Sequence, residues 1–75
     1  MKEVLDNGNV VYRNKDGDWH REDGPAIEWI DGDREWCINH EPIASLVNGE
    51  VRIHTKGKLP KLIKQSIAME VLKVV

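Results

Sequence analysis

Asparagine–glycine and aspartate–glycine pairs divide this chain into short pieces, and no other feature limits its fold as strongly. They stand at Asn7-Gly8, Asp16-Gly17, Asp23-Gly24 (followed by Pro25), Asp31-Gly32 and Asn48-Gly49. Such pairs are the preferred centres of tight β-turns, because type I′ geometry needs positive φ at both central residues. Most of the intervals between them are seven to nine residues. That rhythm predicts a meander of short antiparallel strands and leaves little room for helix before residue 50.

The chain is 75 residues long, which is one small domain. A domain of this size buries only about 60% of the surface its unfolded chain exposes. Large side chains therefore matter, and with no Phe and one Tyr the burden falls on Trp19, Trp29 and Trp36. No apolar run approaches the roughly 20 residues of a membrane span. Met1 to Asp6 lacks the apolar stretch of a signal peptide, and the single cysteine suits a reducing compartment, so a cytoplasmic location is expected.

Register can be tested on the central hairpin. A two-residue turn at Asp31-Gly32 predicts that Trp29 faces Arg34, Glu28 faces Glu35 and Ile27 faces Trp36. Ile27, Trp29, Arg34, Trp36 and Ile38 then share a core face, with Arg34 able to stack on Trp29. Glu28 opposite Glu35 counts against this register, because like charges so placed repel. A turn at Asn48-Gly49 predicts Leu46 opposite Val51 and Ala44 opposite Ile53, with Ile43, Ser45 and Val47 on the other face. At the amino terminus, Asn7-Gly8 predicts Leu5 opposite Val10.

From Leu59 onward the pattern changes. Pro60 suits a helix start, and Leu59, Ile63, Ile67, Val71 and Val74 fall on one stripe at 100° per residue. Leu62, Met69 and Leu72 form a second apolar patch, a face for a partner or for a homodimer. The expected fold class is α+β: a short antiparallel β-hairpin meander packed against one C-terminal helix. Its strands fall at about residues 9–14, 26–30, 33–38, 43–47 and 50–55, and its helix at about 60–73. All of 1–75 forms a single domain, with meander to residue 57 and helix region from 58.

Charge divides the same way. Residues 1–50 hold twelve acids against five bases, a net −7, and residues 51–75 hold six bases against one acid, a net +5. The halves can attract each other within one fold. Alternatively, the basic segment Arg52, Lys56, Lys58, Lys61 and Lys64 meets nucleic acid, although no aromatic residues are interleaved there as stacking platforms.

Residues 17–36, centred on His20-Arg21-Glu22-Asp23-Gly24-Pro25-Ala26 and continuing through Glu28 and Asp31-Gly32 to Trp36, resemble one unit of a MORN-like tandem-repeat family. Its units read approximately HRxDGPAxE…DGxxxW and occur in phage, giant-virus and bacterial proteins; fainter likeness runs over about residues 8–42. The resemblance implies β-hairpins used as interaction surfaces and no shared catalytic residue. His40 stands where the repeat expects glycine, and Glu41-Pro42-Ile43 replaces the next HRxDGPA, so the chain holds one full unit.

Chemistry-bearing patterns are sparse. Cys37 and His40 lie three apart, with His20 and His54 elsewhere, which lacks the paired ligand spacing of a structural zinc site. The aspartates around Gly17 and Gly32 lack an EF-hand series. No phosphate-binding glycine loop occurs. The expectation is a non-enzymatic protein-binding module without cofactor or metal, a small phage or mobile-element inhibitor or modulator of a host protein. Its expected contact residues are Trp19, His20, Arg21, Glu28, Asp31, Asp33 and Glu35, the acidic hairpin acting as a phosphate mimic.

Overall fold

The computed structural model describes residues 1–73. Six strands follow one another in a single antiparallel sheet: β1 (Lys2–Val4), β2 (Val10–Tyr12), β3 (Ile27–Glu28), β4 (Arg34–Ile38), β5 (Glu41–Val47) and β6 (Glu50–Ile53). One helix, α1 (Lys61–Lys73), completes the fold. The α+β meander expected from the turn rhythm is therefore the fold, with a short extra strand, β1, at its edge. No helix among the described residues is long and apolar enough to cross a membrane.

Three of the turns use a longer loop than the two-residue turn of the sequence reading. Across Leu5–Asn9, Asn14–Asp18 and Trp29–Asp33 the first residue's N–H donates to the fifth residue's carbonyl, and the glycine N–H donates back to the first carbonyl. Gly8, Gly17 and Gly32 all take positive φ there (92°, 84° and 100°). This is a three-residue hairpin loop closed by a left-handed glycine. Asn7 and Asp31 fasten their loops by accepting the N–H two residues on, and Asn14 accepts from both Asp16 and Asp18.

One extra loop residue shifts the register. Glu28 pairs with Arg34 and Ile27 with Glu35, so Ile27 lies on the sheet face away from Trp36. The expected row of Ile27, Trp29, Arg34, Trp36 and Ile38 is thereby corrected. The Glu28–Glu35 repulsion disappears, since Glu28 meets a cation. At the amino terminus the same shift gives Val4 opposite Val10, where Leu5 was expected. Asn48-Gly49 does form the two-residue turn, with Leu46 opposite Val51 and Ala44 opposite Ile53 as expected.

The core lies between the β4–β5 part of the sheet and α1. Trp36, Ile43, Ala44, Leu46 and Ile63 are buried together, with Ile38, Val51, Leu59 and Ile67 packed around them. Ile43 reaches this face through a β-bulge. Trp36 pairs with Ala44, but Cys37 pairs with Pro42, so Ile43 is the unpaired extra residue and turns inward, away from the face expected for it. Val11, Ala26, Ile27 and Cys37 are buried outside this cluster.

Two polar contacts tie the helix to the sheet. The fully buried Trp36 donates its indole N–H to Ser66 Oγ at 2.9 Å. Arg34 Nε donates to Glu70 Oε1 at 2.8 Å, and Lys73 Nζ lies 2.7 Å from Glu70 Oε2. Arg34 also donates to the Trp29 carbonyl, so it holds the Trp29 backbone where stacking on the ring was expected. Of the expected stripe, Ile63 and Ile67 of α1 and the preceding Leu59 pack into the core, Val71 is half-buried, and Val74 lies outside the described residues.

Burial opposes ionisation of Glu70, but the hydrogen bonds and charges of Lys73 and Arg34 outweigh it and hold the carboxyl below its usual range. Its stabilising contribution is present above the unfolded carboxylate range, about pH 4.3, and is lost as pH falls through the lower folded value. Acid titration of urea-unfolding stability should show this loss, and Glu70→Gln should lack that component. Ser66→Ala should cost about 1–3 kcal/mol in the same assay, because the Trp36 N–H is left buried without an acceptor.

Candidate protein-binding groove

The His20–Ala26 motif folds into a corner built around one side chain. Arg21 Nε donates to Asp23 Oδ1 at 3.0 Å, and its Nη1 donates to the Pro25 carbonyl at 3.3 Å and to Glu28 Oε2 at 3.2 Å. The guanidinium lies 4.0 Å from the centre of the Tyr12 ring, a cation–π contact. Gly24 lets the guanidinium lie close: a Cβ there would stand 2.6 Å from Arg21 Cζ and would displace the side-chain end. Asp23 is thus an acceptor for Arg21.

Opposite this corner runs α1. Leu62, Met69 and Leu72 are 52%, 63% and 73% exposed, so the second apolar patch is free of the sheet. Between corner and helix lies a groove of about 290 Å³ with Arg21, Asp23, Glu28, Leu62, Met69 and Glu70 among its walls. A second depression, about 350 Å³, lies on the other side of Leu62 between Glu22, Ile38, Pro60 and Lys61. Leu62 is a ridge shared by the two hollows, with exposed Asp23 bordering the first and exposed Glu22 and Lys61 bordering the second.

The expected contact residues do not form one surface. Arg21 and Glu28 join Leu62 and Met69 in the groove, while Leu72 stands further out on the helix. Trp19 and His20 sit at the turn after β4: Trp19 stacks on His40 with ring centres 5.0 Å apart, and His20 Nδ1 accepts from Asn39 N. Asp31 and Asp33 are at the other end of the β3–β4 hairpin, where Asp31 fastens its own loop and Asp33 accepts the Asn48 N–H. Glu35 shares a cross-strand row with Ile27, Ser45 and Arg52, on the sheet face away from Trp36 and α1.

The basic residues are equally divided. Arg52 lies in that same far-face row and reaches Glu50 at 3.5 Å. Lys61 and Lys64 are on α1, across the sheet from it, and Lys56 and Lys58 are in the connection between them. Cys37 is fully buried, and burial together with the Glu35 charge pushes its thiol up to about 12, which keeps it from forming a thiolate nucleophile near neutral pH.

Sequence reasoning found the motif and the helix patch separately and did not join them. It missed Ser66 and Glu70. The only available signal for Glu70 was its place as the lone acid in a basic half, which marks it for an internal cation. No protein-family model matches the chain, and no curated protein or solved structure is significantly similar to it.

Gly24→Ala should push the guanidinium off its three acceptors and cost about 1–3 kcal/mol in urea unfolding. In an Arg21→Ala background the same change should cost much less, a coupling that a double-mutant cycle reads directly.

Proposed function

We propose that this chain is a non-enzymatic protein-binding module whose partner sits across α1 and the Arg21–Pro25 corner. The observation that carries this reading is the exposed ridge of Leu62, with Met69 beyond it, set among two hollows and charged rims. Exposed apolar side chains grouped beside fixed charges are what an interface requires: the apolar groups contribute desolvation and the charges set orientation. The complementary surface offers an apolar side chain to each hollow, a cation towards Glu22, and an anion towards Lys61. The buried, protonated Cys37 supports a binding role over a nucleophilic one.

The MORN-like resemblance of residues 17–36 supports the same reading, since units of that family serve as interaction surfaces. It also supplies the setting: a phage or mobile-element protein that inhibits or modulates a host protein. Within that setting the groove is a better contact surface than the acidic hairpin, because Glu28 is engaged by Arg21, Asp33 by Asn48, and Glu35 lies on the far face.

Capture from a nuclease-treated bacterial lysate tests the reading. The wild-type chain should retain one stoichiometric protein. Leu62→Glu with Met69→Glu should abolish retention while leaving the circular dichroism spectrum unchanged, because both side chains are exposed. Reversing Asp31, Asp33 and Glu35 to Lys should leave capture intact. Retention by the Leu62/Met69 variant would reject the groove, and loss on charge reversal would return the contact to the acidic hairpin. Signal that vanishes with nuclease would favour nucleic acid at residues 52–64.

A further inference from the structure

The turn between β4 and β5 is made of two residues that are not glycine, and both are left-handed: Asn39 at φ 47° and His40 at φ 75°. Asparagine adopts this conformation readily, but for most other L-residues, such as His40, it is disfavoured by about 1–2 kcal/mol, so contacts with the neighbours help to hold the turn. Four contacts hold it. His40 N donates to the Trp19 carbonyl at 2.8 Å, and the His40 ring stacks on Trp19. Asn14 Nδ2 donates to Asn39 Oδ1 at 3.2 Å. Asn39 N donates to His20 Nδ1 at 3.0 Å.

The last contact differs from the others in kind. An imidazole nitrogen accepts a hydrogen bond only while it carries no proton. We propose that His20 is a proton-operated latch on the Asn39-His40 turn: closed while Nδ1 is bare, and open once the ring is doubly protonated and Nδ1–H confronts the Asn39 N–H. Glu22, on His20's own segment, faces the ring with its Oε1 3.5 Å from Nε2. It gives the protonated ring a counter-ion. From the facing turn come the Asn39 N–H and, one residue on, the His40 ring. Protonation of His40 leaves its stack on the indole attractive, as a cation over an aromatic face. Protonation therefore removes the His20 contact and spares the stack.

The latch has a structural reach. The segment that carries it is joined to the sheet on both sides, His20 N to the Tyr12 carbonyl and Arg21 N to the Cys37 carbonyl. Arg21, the next residue, builds the corner of the groove. Opening the latch removes one of the four contacts on the turn at the end of β4 and weakens the turn's hold on the segment from which that corner is built. This inference stands on the turn geometry and does not depend on what the groove binds.

An NMR titration of the ¹⁵N-labelled full chain from about pH 8 to pH 5 tests it. The Asn39 amide signal should move with the same midpoint as the His20 ring signals. Its exchange protection, corrected for the intrinsic pH dependence, should fall about tenfold, the loss of one modest hydrogen bond. His20→Asn places an amide oxygen near where Nδ1 stood and should keep the protection at every pH. His20→Ala should lack it at every pH. Protection that stays constant through the His20 titration, or that falls equally in His20→Asn, would overturn the latch, as would wild-type protection in His20→Ala.

Discussion

The fold hangs on the burial of Trp36. Its ring lies between the β4–β5 ribbon and α1, fully removed from solvent in a domain too small to have many such anchors. A buried indole brings one polar atom with it, and an unpaired N–H at that depth would cancel much of the gain. Ser66 supplies the acceptor from the helix, so satisfying the tryptophan also sets the rotation of α1. With Ser66 and Ile63 turned inward, Glu70 reaches Arg34 one turn later, and Leu62, Met69 and Leu72 are left outside. The exposed helix face is a consequence of how the tryptophan is satisfied.

Arg21 plays the matching part on the other side of the groove. Its guanidinium has a ring beneath it, a glycine under its edge and three oxygen acceptors around it, which is most of what a planar cation can use. The spacing of the His20–Glu28 motif follows from that geometry. Arg21, Asp23, Gly24, Pro25 and Glu28 are all parts of one folded corner, and Ala26 is buried behind it. The acidity of the motif is thus partly spent inside the molecule, and Glu22 and Asp23 are the carboxylates it leaves at the surface.

Much of this was legible in the residues. Glycine-containing turn pairs marked where strands stop, and 100° periodicity marked the helix to within a residue at its start. The pairings of Leu46 with Val51 and Ala44 with Ile53 followed from Asn48-Gly49 alone. The Asp31-Gly32 register did not, because the same dipeptide closes both two-residue and three-residue loops. A short polar residue follows the glycine in all three longer loops (Asn9, Asp18 and Asp33), whereas Glu50 follows Gly49. The Glu28–Glu35 repulsion was a correct sign that the shorter loop was wrong. Ile43 could not be placed by alternation, because a bulge breaks the period of two that alternation assumes.

Legible in the residues alone were the class of fold, the approximate extent of the strands from β2 to β6, and the amphipathic helix with two apolar patches, while the strand order came from the packed fold. These are local properties: turn chemistry, strand alternation and helical period act over a few residues. Which residues share a surface is settled by packing. It separated Trp19 and His20 from Arg21 and Glu28, sent Glu35 and Arg52 to the far face, and brought the motif corner against Leu62 and Met69. The reason is that surface membership depends on register, and register turns on single residues. One additional loop position, or one bulge, moves a side chain to the opposite face of the sheet.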